Sequence, residues 1–173
     1  MKKLKMIFPP LFILAIASFQ SHASTPVPGD DEEKAVLEAN QQFFKALNGI
    51  FDGQIEPMRS VWAHTDEVTY MGPGGGMQTG WKQVLSNWEY QASLNLGGEV
   101  HPEDIQVIMG DGMAVVQNIV KGQNTVNGEK QKVAIRATQV FRKRKEGWKV
   151  VSVHTDILHL NTEEGDPIFL FQN

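Results

Sequence analysis

Residues 136–156, RATQVFRKRKEGWKVVSVHTD, restrict the fold more than any other stretch: they read as two long β-strands joined by a turn at Lys145-Glu146-Gly147. A three-residue loop ending in Gly fits a type I turn followed by a residue at positive φ, the place Gly147 would take. Pairing Arg144 with Trp148 then sets Arg142 opposite Val150, Val140 opposite Ser152, Thr138 opposite His154 and Arg136 opposite Asp156. Side chains alternate across a strand, so Arg136, Thr138, His154 and Asp156 share one face. The other face carries Ile135, Ala137, Gln139 and Phe141 against Val151, Val153, Thr155 and Ile157.

A second turn extends the count. Asn127-Gly128 is a strong two-residue hairpin signal, and pairing Val126 with Glu129 sets Val120, Asn118 and Val116 opposite Ile135, Ala137 and Gln139. One apolar face therefore continues over three strands. Further strands are expected at residues 68–71 and 100–109. Upstream, Ala35, Val36, Ala39, Phe43, Ala46, Leu47 and Ile50 recur at helical spacing, as do Trp81, Val84, Leu85, Trp88 and Ala92, with a short helix expected at residues 55–62. Helices followed by a meander define an α+β fold whose more apolar sheet face meets the helices. That places Asn118, Gln139 and Thr155 indoors and the Arg136, Thr138, His154, Asp156 quartet outdoors.

Residues 1–23 carry Lys2, Lys3 and Lys5, an apolar run over residues 6–19 and Ser21-His22-Ala23, the pattern of a cleaved secretory leader. Export across the inner membrane to the periplasm is the expectation, with a polar linker at residues 24–31, one domain at 32–157 and a tail at 158–173. Cleavage removes three of 16 basic residues and no acid, taking the net charge from −4 to −7 and arguing against a nucleic-acid partner. The mature chain is expected to be free of the membrane. With no cysteine, thiol chemistry is excluded and packing must supply the stability.

The order of elements, with the segments WAHTDEVTYMGPGGGMQTGW and TQVFRKRKEGWKVVSVHTD, resembles the SnoaL-like, nuclear transport factor 2-like superfamily, which includes ketosteroid isomerases, polyketide cyclases and the association domain of calcium/calmodulin-dependent protein kinase II. The resemblance covers residues 32–156 and implies a cone-shaped α+β barrel of three N-terminal helices on a curved antiparallel sheet. It implies a pocket between helices and concave face, and frequent dimers through the convex face. Residue by residue, the isomerase parts are missing. Gly72 stands where the resemblance places the general base before Pro73, Phe43 or Phe44 where it places a Tyr, and Gln139 or Ala137 where it places an acid. The arginines of the kinase domain's pocket correspond to neutral Val120, Gln139 and Thr155.

A ligand site of Phe44, Trp62, Tyr70, Met71, Trp81, Trp88, Phe141 and Val153, with Asn118, Gln139 and Thr155 as polar points, suits a small, largely apolar molecule and needs no cofactor or metal. Arg136, His154 and Asp156 are the alternative catalytic candidates, since an acid can orient an imidazole as a general base. Their outward register instead fits a homodimer contact on the convex face. Gly72–Gly76 lacks the Lys-Ser or Lys-Thr of a phosphate loop, and His64 with Asp66 or His101 with Glu103 falls short of a closed metal site. The run from Arg142 to Lys145 reads as a solvated hairpin tip. Binding without isomerase chemistry is the leading expectation. A cyclase- or isomerase-type enzyme working through pocket water, and a dimerisation or assembly domain, are the other two.

Overall fold

A computed structural model describes residues 29–158; the leader and nearly all of the tail lie outside them. Helix α1 (Asp30–Phe51) opens on four acids, which suit the positive end of the helix dipole, and it buries Val36, Asn40, Phe43, Phe44 and Ile50 along one stripe. α2 (Glu56–Val61) has Pro57 in its first turn, where a missing N–H costs nothing. After β1 (Thr69–Met71) and β2 (Gln78–Thr79), α3 (Trp81–Ser93) buries Val84, Trp88, Gln91 and Ala92. The rest is a meander: β3 (Gly98–Gly110), β4 (Met113–Val126), β5 (Glu129–Arg144) and β6 (Gly147–Ile157). Among the described residues no helix is long and apolar enough to cross a membrane.

The strands form one curved, unclosed sheet in the order β2-β1-β6-β5-β4-β3. The meander is antiparallel as expected, and β1 joins it parallel to β6, which makes the sheet mixed. The Asn127-Gly128 turn falls as counted, with Asn127 at φ 53° and Gly128 at φ 84°, and Val116, Asn118 and Val120 meet Gln139, Ala137 and Ile135.

The β5–β6 turn corrects the sequence reading in one respect. Arg144 pairs with Gly147 across a two-residue turn, so Arg142 faces Lys149 rather than Val150. A bulge between Val140 and Phe141 on the pairing then restores the register, with Val140 opposite Ser152 and Arg136 opposite Asp156. Val150 and Val151 are both buried there, and the Ala63 amide donates to the Val150 carbonyl at 2.9 Å. A bulged strand offers such consecutive inward residues.

The open edge of β3 is held to α1 by Asn48. Its Nδ2 donates to the Val100 carbonyl at 3.0 Å and its Oδ1 accepts from the Val100 amide at 2.9 Å. An amide side chain thus takes the place of a missing strand.

Candidate functional site

The concave face is laid out in rows across the strands. Register sets Val116, Gln139, Val153 and Tyr70 side by side on β4, β5, β6 and β1, with Asn118, Ala137 and Thr155 in the next row and Val120, Ile135 and Ile157 in the third. Phe43 and Phe44 of α1 and Trp88 and Gln91 of α3 close over these rows to leave an interior cavity of about 40 Å³. That is room for about three waters.

Of the residues expected to line a pocket, Phe44, Tyr70, Trp88, Gln139, Val153 and Thr155 do so. Asn118 reaches the site through Gln139, donating its Nδ2–H to Gln139 Oε1 at 2.8 Å. The remaining four stand elsewhere. Trp62 and Phe141 are fully buried in the core and off the cavity lining, Trp62 bridging to Val150 and Phe141 pairing with the same residue beside the bulge. Trp81 lies at the outer end of the aromatic cluster, 6.5 Å from Trp62 and stacked on the His64 ring at 4.3 Å. Met71 alternates away from the cavity and contributes its carbonyl, which accepts from Thr155 Oγ1 at 3.2 Å.

Gln91 is the residue that sequence reasoning missed. It is a polar side chain at an apolar-stripe position, seven residues after Val84 and three after Trp88, and that interruption was its signal. Its Nε2 lies 3.5 Å from the Tyr70 hydroxyl, while its Oε1 is buried without a partner among the described residues. Asn118 Oδ1 is in the same condition. Buried orphan acceptors are costly, about 1–3 kcal/mol each.

These amides give a first prediction. Gln139→Leu should cost about 1–3 kcal/mol because it leaves the Asn118 amide without its acceptor. Adding Asn118→Leu should recover most of that loss, since both partners are then apolar. Urea denaturation of the two single variants and the double variant measures the coupling, and strict additivity would contradict it.

Burial pushes the Tyr70 phenol up to about 12, with the Gln91 contact pulling weakly the other way. The folded value is raised, so the neutral phenol's stabilisation is complete below the ordinary value near 10 and is lost as pH rises through about 12. The expected loss is about 2–3 kcal/mol over that interval. Tyrosinate absorbance that develops for Tyr70 only with unfolding is the check.

A Cβ on Gly72 would sit 2.7 Å from the Tyr70 hydroxyl. The phenol therefore fills the space that a side chain before Pro73 would need.

On the convex face, Arg136 pairs with Asp156 through two hydrogen bonds, Nε to Oδ1 being 3.0 Å and Nη2 also donating to Oδ2. His154 is exposed beside them. The Arg136 hydrogen bond, opposed by desolvation, holds the Asp156 carboxyl below its usual range. The pair's contribution is present at neutral pH and falls away as pH drops through the carboxylate range. The three catalytic alternatives are thus together, as the register required, but on the opposite side of the sheet from the cavity.

A curved mixed sheet roofed by helices, with an interior cavity, is the architecture shared by NTF2-like and cystatin-like folds. Among solved structures, the chain is similar to an NTF2-like family protein of Streptomyces avermitilis named as a candidate dehydratase, at 21% identity and TM-score 0.67, covering 76% of this chain and 100% of that one. An NTF2-like superfamily protein of Salmonella enterica serovar Typhimurium matches at 18% identity and TM-score 0.66, over 78% and 97% of the two chains. The CaMKII hub of S. rosetta matches at 22% identity and TM-score 0.60, over 76% and 100%. At these identities the likeness is one of fold. A comparison with curated proteins gives no match. The SnoaL-like domain model matches residues 36–158, and the chain belongs to that family.

Proposed function

We propose that this protein is an exported SnoaL-like domain that binds a small, mostly apolar molecule in its cavity without the isomerase catalytic set. The observation that carries this reading is the cavity lining: every residue on it is apolar or neutral, with Gln91, Gln139, Tyr70 and Thr155 as the polar points. An uncharged lining favours a neutral ligand, and orphan amide oxygens favour one that donates a hydrogen bond. The volume limits the enclosed part to a few heavy atoms, either a whole small molecule or the apolar end of a longer one. Export to the periplasm rests on the leader pattern of residues 1–23.

Mass spectrometry of small molecules carried through native purification of the full chain tests the binding. The expected result is one species enriched with the protein and lost in a cavity-filling Ala137→Met variant. Equal recovery from both proteins would end the cavity reading.

Assembly through the convex face is the second reading, favoured by the Arg136–Asp156 pair standing outside a domain similar in fold to the S. rosetta hub. Light scattering should give a dimer that Arg136→Ala weakens. An unchanged dimer would move the interface elsewhere.

A further inference from the structure

A separate cleft of about 400 Å³ opens at the other end of the molecule, where α2 and the segment after it meet the tip of the β5–β6 hairpin. We propose that this cleft is a binding site for a free, compact oxyanion of the phosphate class. Arg59, Arg144 and Lys149 line it, against Glu146 as the one acid on the lining. The chain as a whole is acidic, with net charge −4, so three cations against one acid on a single lining run against its general balance.

The two arginines are anchored from outside the cleft, and Lys149 is anchored on its lining. Arg59 meets Glu89 at 2.6 Å and Glu56 at 3.1 Å, Arg144 pairs with Glu67, and Lys149 Nζ donates to the Ser60 carbonyl at 2.7 Å. Glu56, Glu67 and Glu89 are absent from the lining. A guanidinium has five N–H donors and an ammonium three, so each anchored group keeps donors for a ligand. Anchoring also reduces the side-chain freedom that binding would otherwise remove.

The walls are equally fixed. His64 stacks on Trp81 with 9° between the ring planes, and its Nε2–H donates to the Arg59 carbonyl at 2.8 Å. Thr65 Oγ1 has no partner among the described residues. A tetrahedral oxyanion offers several separated acceptor atoms to such a donor-rich set and can take a guanidinium through two parallel hydrogen bonds, a geometry that a single chloride ion does not offer. The carboxylates behind the cations lower the local field, so a dissociation constant of about 1–10 mM is expected, weakening with salt.

The test is a titration of the ¹⁵N-labelled full chain with inorganic phosphate, compared with sodium chloride at matched ionic strength. Saturating amide shifts confined to residues 59–65 and 144–149 are expected with phosphate alone, and Arg144→Gln and Lys149→Gln should each weaken binding by roughly 5-fold or more. The same spectra report whether each variant is folded. Lys149→Gln decides if loss of the Glu67 pair disturbs the other, since among the described residues Lys149 is anchored to a carbonyl and to no acid. Shifts that follow ionic strength alike for both salts, or unchanged phosphate affinity in Lys149→Gln, would overturn the site. Phosphatidylglycerol vesicles should leave the chain in solution. Co-sedimentation abolished by Lys149→Gln would give the cleft to a lipid headgroup and overturn the free-ion assignment.

Discussion

Gly122→Ala is expected to destabilise the fold by about 3 kcal/mol or more, a large share of the 5–15 kcal/mol typical of a domain. Gly122 lies on β4 opposite Val100, and a Cβ there would stand 2.1 Å from the Glu99 carbonyl oxygen and 2.7 Å from Val100 Cα. Both obstacles are backbone of the neighbouring strand, so no rotamer change can make room. Its φ of +155° adds strain for any L side chain. Gly98, two residues before Val100 on β3, shows the same approach from the other side, with a Cβ placed 2.2 Å from the Gln123 carbonyl oxygen. Two glycines on facing strands thus let β3 and β4 close on each other beside the point where Asn48 pins the sheet edge to α1. Urea denaturation gives the cost directly; a loss below about 1 kcal/mol would mean that the strands can part without harm and that this approach does not set the sheet's curvature.

How far the sequence led depends on which interactions are local. The Asn127-Gly128 turn specifies its own backbone, so everything counted from it holds, including the inward positions of Asn118, Ala137 and Gln139. The β5–β6 pairing beyond Val140 also holds, but by two compensating departures, a turn shorter by one residue and a bulge that adds one back. The bulge lies where Trp62 and Ala63 make tertiary contacts to Val150, which no local pattern announces. The same limit hid β2, whose two residues are defined only by pairing with β1, and the parallel docking of β1 on β6, which brings Tyr70 into the row of Gln139. Helical periodicity found the aromatic residues but not their depth. Trp62, Trp81 and Trp88 form one chain of rings, and only Trp88 reaches the cavity. Residue type and spacing cannot rank positions along such a chain.

Trp88→Ala is the substitution that joins stability to the proposed function, and it should cost about 4 kcal/mol. The indole is 1% exposed, lies 4.6 Å from the Tyr70 ring and 6.5 Å from Phe43 and Trp62, and forms one wall of the cavity. Its removal deletes a large apolar contact area and leaves a gap that the rigid sheet beneath cannot fill. The gap should then be continuous with the cavity and walled largely by aromatic rings, a setting close to that in which engineered cavities bind small apolar molecules. Added indole should therefore restore part of the loss, about 2.7 kcal/mol at a hundredfold excess over its dissociation constant. Trp81→Ala is the control: its ring is half-buried at the outer end of the cluster, so the cost should be smaller and indole should restore nothing. Thermal unfolding of both variants with and without indole separates the possibilities. If Trp88→Ala is destabilised but not rescued, the helices have collapsed onto the sheet, and the native cavity exists only because one indole holds its roof apart; if it is rescued, the frame is rigid without the ring and the cavity is a property of the sheet and α1.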